Sequence, residues 1–170
     1  RWATLASLIG SADGKKFRSY AQAITLQRLI EAGNHHLHQI NPRYRMTYVP
    51  PAGGAENLEI SVVDTYHDDN RRTMATLSGG ETFLVSLALA LGLSELASGR
   101  SLIESLFIDE GFGTLDGKTL DQAMNTLEQL QASGKTIGLI SHVPQLRERI
   151  TCKIELVPVG DGFSKINISA

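Results

Sequence analysis

The sequence predicts an α/β fold, and three features carry that reading. Ser105 to Ile108 is a short apolar run after Glu104, as expected of a buried parallel strand. Leu120, Ala123, Leu127 and Leu130 then share one helical face that ends near Gly134. Thr136 to Ile140 is a second apolar run. Strand, helix and strand joined by short loops predict a right-handed crossover unit with a parallel sheet.

The remaining elements follow in chain order. Leu26, Ile30, Gly33, Leu37 and Ile40 recur at steps of four, three, four and three, so Phe17 to Ile40 reads as one amphipathic helix. Pro42 closes it. Arg43 to Val49 alternates, with Tyr44, Met46 and Tyr48 on one side, and is a strand. Pro50, Pro51, Gly53 and Gly54 make a loop, and Leu58, Ile60 and Val62 alternate with polar neighbours as its hairpin partner. His67 to Thr73 reads as polar and irregular. Gly79 to about Ala97 is apolar almost all round, which predicts a helix buried on most faces. Residues 154–159 and 163–168, joined by Gly160, Asp161 and Gly162, read as a closing hairpin.

Length and composition exclude several classes. A chain of 170 residues holds one core, and 42% hydrophobic content is that of a globular protein and not a disordered one. The most apolar stretch, 83–93, is broken by Ser86 and Gly92 and is shorter than the ~18 residues a bilayer crossing needs. No membrane span is expected. A single cysteine, Cys152, forms no internal disulfide, so a reducing, cytoplasmic setting fits, and the residue is expected to be structural. The first 45 residues carry seven Lys or Arg against two acids, leaving the remainder strongly acidic. The basic end could face a polyanion, against the plainer reading of a solvated helix face. The chain starts at Arg1 and not Met, and is read as a piece of a longer polypeptide.

Chemistry concentrates in three places. The phosphate-loop pattern G-x-x-x-x-G-K-[ST] is approached three times and never completed. At Gly134 the first glycine would be Gln129, and a strand follows. At Gly10 the spacing is one residue short. At Gly111 it is one too long, and Asp109, Glu110 and Asp116 would repel phosphate. Those acids fit another role: a strand ending in Asp109-Glu110 puts one acid on a Mg²⁺ ion and the next beside an attacking water. A solvated strand end is the plain alternative. In Leu77-Ser78-Gly79-Gly80-Glu81, Ser78 and Glu81 form a capping box. That leaves the glycines unexplained, each costing about 1 kcal/mol relative to Ala in a helix. They make sense where a phosphate approaches free amides at a helix start. His142 ends the second buried strand, and neighbouring parallel strands end at one sheet edge, which places it near Asp109 and Glu110.

Together these pieces resemble the C-terminal lobe of an ABC-type ATPase head, a P-loop-NTPase-like sheet with flanking helices and hairpins. The signature motif would be 77–81, the Walker B 106–110, the D-loop Gly113-Thr114-Leu115-Asp116 and the switch histidine His142. Glu81, where transporters usually carry Gln, and the run from Asp109 to Asp116 resemble the bacterial SbcC family of the SMC-like DNA-repair branch. The resemblance implies residues 1–40 leading in from a coiled coil tipped by a zinc hook, and residues 41–170 as the lobe. It implies ATP and Mg²⁺ as cofactors. Asp109 would hold the metal, and Glu110 and His142 would act on the protomer's own nucleotide. Ser78, Gly79, Gly80 and Glu81 would bind the nucleotide of a second protomer, with Asp116 at the dimer contact. Implied partners are the N-terminal lobe of the same polypeptide, a second protomer, an SbcD-type nuclease subunit and double-stranded DNA, with no membrane. A chromosome-organising SMC head is the alternative. A transporter nucleotide-binding domain is disfavoured by Glu81 and by Phe112.

His35, His36 and His38 are read as a solvated patch, since only His35 and His38 share a face. Arg71 and Arg72 are read as part of a polar loop.

Overall fold

A computed structural model describes residues 15–50, 58–97, 105–160 and 162–169, apart from the side chain of residue 16. Helix α1 (Lys15–Ile40) buries Ile30, Leu37 and Ile40, the face its periodicity marks. Strands β1 (Tyr44–Val49), β2 (Glu59–Asp64) and β3 (Asn70–Thr73) form an antiparallel sheet in that order. The Asn34 side chain binds both backbone groups of Met46 at 2.8 Å, which fixes β1 along α1. The loop residues Pro51, Gly53 and Gly54 lie outside the described residues.

Two expectations change here. Residues 70–73 are a strand, reached through a turn in which Asp68 and Asp69 both have positive φ (48° and 51°) and Asn70 N–H donates to His67 O at 2.9 Å. Two consecutive left-handed residues match the twist of a tight hairpin, which Asp tolerates. Strand β2 is also covered on both faces, for Ser61, Val63 and Asp64 are buried along with Val62. Asp64 is accommodated by the Arg43 guanidinium, at 2.8 and 2.6 Å.

Helix α2 (Gly79–Ala97) crosses α1 where two glycines meet: a Cβ on Gly92 would stand 2.5 Å from the backbone N of Gly33. Leu84, Val85, Leu87, Ala88 and Leu91 are buried in the core. The burial is less complete than the sequence implies, because Leu93 and Leu96 are exposed. With 19 residues and a mean hydropathy of 1.4, α2 is long and apolar enough to cross a membrane. A core helix of a globular protein has the same length and composition, and α2 packs on α1 as one.

Strand β4 (Ser105–Asp109), helix α3 (Gly117–Ala132) and strand β5 (Thr136–Ile140) form the expected crossover unit, with β4 and β5 parallel and Phe107 opposite Gly138. Leu106, Ile108, Ile137 and Leu139 pack on the core. The other face is open among the described residues, with Phe107 75% and Ile140 58% exposed. These strands are therefore half-buried. Helix α4 (Pro144–Arg149) was not expected; Pro144 starts it, and Arg149 Nε binds Glu128 of α3 at 2.7 Å. Strands β6 (Lys153–Gly160) and β7 (Phe163–Ser169) form the closing hairpin as a separate two-stranded sheet.

Two side chains depart from expectation. His36 is buried, with Nε2 3.1 Å from Glu95 Oε2. Burial lowers its pKa against the opposing pull of Glu95, so only His35 and His38 are solvated. Cys152 is free and exposed and does not sit in the core.

Candidate nucleotide site

The ends of β4 and β5 bring the predicted acids and histidine together. Glu110 N–H donates to Ile140 O at 2.9 Å, carrying the pairing one residue past β4. Glu110 then turns into the left-handed region, at φ 58°, and Gly111 follows at φ 93°. A non-glycine residue held there stores roughly 1–3 kcal/mol of strain, which clusters at functional positions. On the adjacent strand Ser141 Oγ accepts from Val143 N–H at 3.2 Å and shapes the turn carrying His142. His142 Nδ1 lies 2.9 Å from Glu110 Oε2, with side-chain exposures of 79% and 48%. Asp109 makes no side-chain hydrogen bond or ion pair among the described residues, and it is exposed.

No group of three or more His, Cys, Asp or Glu side chains is arranged to hold a metal among the described residues. Mg²⁺ usually takes one or two carboxylates and fills the rest of its shell with phosphates and water. A lone, accessible Asp109 fits that demand.

The start of α2 is built differently. Ser78 N–H donates to Glu81 Oε2 at 2.7 Å and Glu81 N–H to Ser78 Oγ at 3.3 Å, completing the capping box. Glu81 Oε1 also accepts from Tyr44 Oη and Arg72, both at 2.9 Å. Burial opposes ionisation of Glu81, but these donors outweigh it and hold the carboxyl below its ordinary range. Burial, then the bond to Glu81, pushes the Tyr44 phenol up to about 12.

Arg72 is thus part of this assembly and not of a polar loop. Its signal was the cross-strand row Met46, Val62, Arg72, which places it on the inner face once β3 is recognised. Gly80 has a reason within the fold too: a Cβ there would lie 2.8 Å from Thr114 O. The signature turn therefore abuts the loop after the acids. Asp116 caps α3, accepting from Thr119 Oγ1 at 2.7 Å and from Thr119 N–H at 3.0 Å, and both bonds lower its pKa. A hollow of about 570 Å³ lies elsewhere, lined by Glu31, His35, His38 and Arg45 among others; of the residues around the site only Tyr44 borders it, and none of the residues expected from the sequence to serve the nucleotide or the metal does.

Residues 55–129 match the family described as SbcC/RAD50-like, Walker B motif. The SbcC component of the SbcCD nuclease of Pseudomonas aeruginosa is 48% identical over 168 residues, covering 99% of this chain and 14% of that protein. This chain belongs to the SbcC/RAD50-like ATPase family. The SbcC component of the Rhodobacter capsulatus nuclease is 43% identical over 98% of the chain and 13% of that protein. The chain thus spans about one seventh of the length of these curated SbcC relatives.

Solved structures agree on the fold. A chain from work on the ATP-driven dimerization and DNA-stimulated activation of SMC ATPases superposes with a TM-score of 0.71, at 14% identity and 89% coverage of both chains. The Smc head domain of Pyrococcus furiosus, solved with an extended coiled coil and the C-terminal domain of ScpA, gives 0.67 at 14% identity, over 92% of this chain and 38% of that one. The fold is that of an SMC-type ATPase head.

Proposed function

We propose that this chain is the C-terminal lobe of an SbcC-type head, with residues 1–40 leading in from a coiled coil and 41–170 forming the lobe. The observation that carries this is the pairing of Glu110 with His142 at 2.9 Å, beside an unpartnered Asp109, at one edge of a parallel sheet. Asp109 would hold Mg²⁺ on the β and γ phosphates of ATP. Glu110 would orient and deprotonate the attacking water, and His142 would fix the Glu110 carboxylate. Ser78, Gly79 and Gly80 present helix-start amides and a hydroxyl to the γ-phosphate of ATP held by a second protomer. Glu81 supports that turn, and Asp116 shapes the loop at the contact between protomers.

An N-terminal lobe of the same polypeptide would supply the phosphate cradle that no stretch of these 170 residues completes. Hydrolysis would control access of an SbcD-type nuclease to double-stranded DNA in the cytoplasm. The 48% identity to an SbcC protein, set against 14–21% to SMC heads, favours this over a chromosome-organising role. Incubating the isolated chain with ATP and Mg²⁺, alone and after reconstitution with the N-terminal lobe, tests the reading. Turnover is expected only after reconstitution, and steady hydrolysis by the isolated chain overturns it.

A further inference from the structure

The backbone that presents Glu110 is held from outside its own loop. Gly111, at φ 93°, lies under Phe83: a Cβ on Gly111 would stand 2.1 Å from Phe83 Cδ2 and 2.4 Å from Cε2. The aromatic ring occupies the side-chain position that Gly111 leaves empty. Phe83 belongs to the early turns of α2, and it packs edge-on against Phe112 with ring centroids 4.8 Å apart. Phe112 is 1% exposed, so this pair is anchored in the core. A second contact joins the same two segments, where Gly80 meets the carbonyl oxygen of Thr114. Thr114 in turn closes the loop, its Oγ1 donating to Gly111 O at 2.7 Å.

The first turns of α2, which carry the signature glycines, and the loop after Glu110 therefore touch at two points, ring on backbone and backbone on backbone. Neither contact passes through a long flexible side chain, so a shift of one segment must displace the other. We propose that Phe83 is a positioning residue for Glu110: its ring fixes the Gly111 backbone, and through it the direction of the Glu110 carboxylate. This rests on the proposed function, in which Ser78 to Gly80 serve the second protomer's ATP while Glu110 serves its own. One rigid link inside a protomer then joins two nucleotides. Seating one ATP against the signature turn sets the geometry in which the other is hydrolysed.

The test uses the full-length polypeptide that contains this chain, with ATP hydrolysis followed across ATP concentrations. The parent is expected to show a Hill coefficient above unity. Phe83→Met keeps the volume but loses the flat ring. It should lower kcat by ~10-fold or more, since displacements of about 1 Å are that costly. ATP affinity should be unchanged, the Hill coefficient should fall to unity, and Phe83→Tyr, which keeps the ring, should restore both. Gly111→Ala attacks the same contact from the loop side and should reproduce the loss. Parental kcat and cooperativity in Phe83→Met overturn the proposal, as does a non-cooperative parent. An unfolded Phe83→Met beside a normal Gly111→Ala enzyme overturns it too. Glu110→Gln separates the two levels: if it hydrolyses ATP normally the functional reading itself fails, whereas if it is arrested and Phe83→Met is normal, only the link through Phe83 fails.

Discussion

At the start of α2 the Glu81 carboxylate accepts from Ser78 N–H, Tyr44 and Arg72, whereas at the ends of β4 and β5 the Glu110 and His142 side chains have, among the described residues, only each other as partners. The side-chain exposures run the same way, 15% for Glu81 against 48% for Glu110. A half-buried acid whose lone pairs are already satisfied is holding the fold together. An exposed acid on a left-handed backbone, with bonding capacity to spare, is built to meet something that arrives. Of the signature residues, Glu81 therefore belongs to the scaffold, Gly80 sits between the two against Thr114, and Ser78 and Gly79 belong to the surface.

Breaking the strand-end region should give the largest effect. Glu110→Gln keeps shape and hydrogen bonding but removes basicity, and hydrolysis in the reconstituted head should slow by ~10²-fold or more, the scale of a positioned general base. ATP binding should persist and closed dimer should accumulate. Asp109→Asn should instead weaken Mg²⁺-dependent ATP binding, because the metal loses a charged ligand. ATP affinity and single-turnover hydrolysis for both variants check the assignment. Lost binding in Glu110→Gln with retained binding in Asp109→Asn would reverse the two roles.

The helix-start region should respond in stability. Glu81→Ala removes the acceptor of Tyr44 and of one Arg72 nitrogen, while Arg72 keeps its bond to Thr76 O; charge-assisted hydrogen bonds of this kind put the cost at roughly 1.5–3 kcal/mol, measured by urea unfolding. Unchanged stability with lost hydrolysis would move Glu81 to the ligand side. Acid probes the same layer. The Arg43 guanidinium lowers the Asp64 carboxyl from 3.8 to about 2. A carboxyl depressed in the folded state stabilises above its ordinary pKa and loses that contribution as pH falls through the folded value. Stability should therefore drop as pH falls from near 3.8 to about 2, and Asp64→Asn should remove this part of the drop.

The two regions were also unequally legible in the sequence. The capping box is local, four residues long, and was readable together with α1, whose buried positions recur at helical steps. The meeting of Glu110 and His142 followed from strand-end geometry alone. Strand β3 was hidden because Asn70–Thr73 has no apolar alternation and its turn uses Asp-Asp instead of Asn-Gly. With β3 hidden, Arg72 could not be placed opposite Val62, and the anchoring of Glu81 was missed. Helix α4, six residues long, is too short to show a period. The seating of Phe83 on Gly111 leaves no trace in spacing, since it joins two segments through shape. Phe107 and Ile140 misled in the other direction, because an apolar strand reads as buried on both faces whether or not both are covered.

The smallest expected effect is at Ser78, and it sharpens the division most. The reciprocal cap is unequal: the bond from Ser78 N–H to Glu81 is 2.7 Å, and the one from Glu81 N–H to Ser78 Oγ is 3.3 Å. Ser78→Ala removes only the longer one and keeps the backbone donor. Its stability cost should fall at or below the ~1 kcal/mol typical of losing a helix cap. Ser78→Arg should cost little more in stability, because position 78 is exposed, yet it puts bulk where a phosphate must reach the amides. Light scattering of reconstituted heads, with and without a non-hydrolysable ATP analogue, should find the Ala variant pairing and the Arg variant monomeric. Pairing by the Arg variant would leave Ser78 as a helix cap alone, and the whole signature turn would then join Glu81 as scaffold.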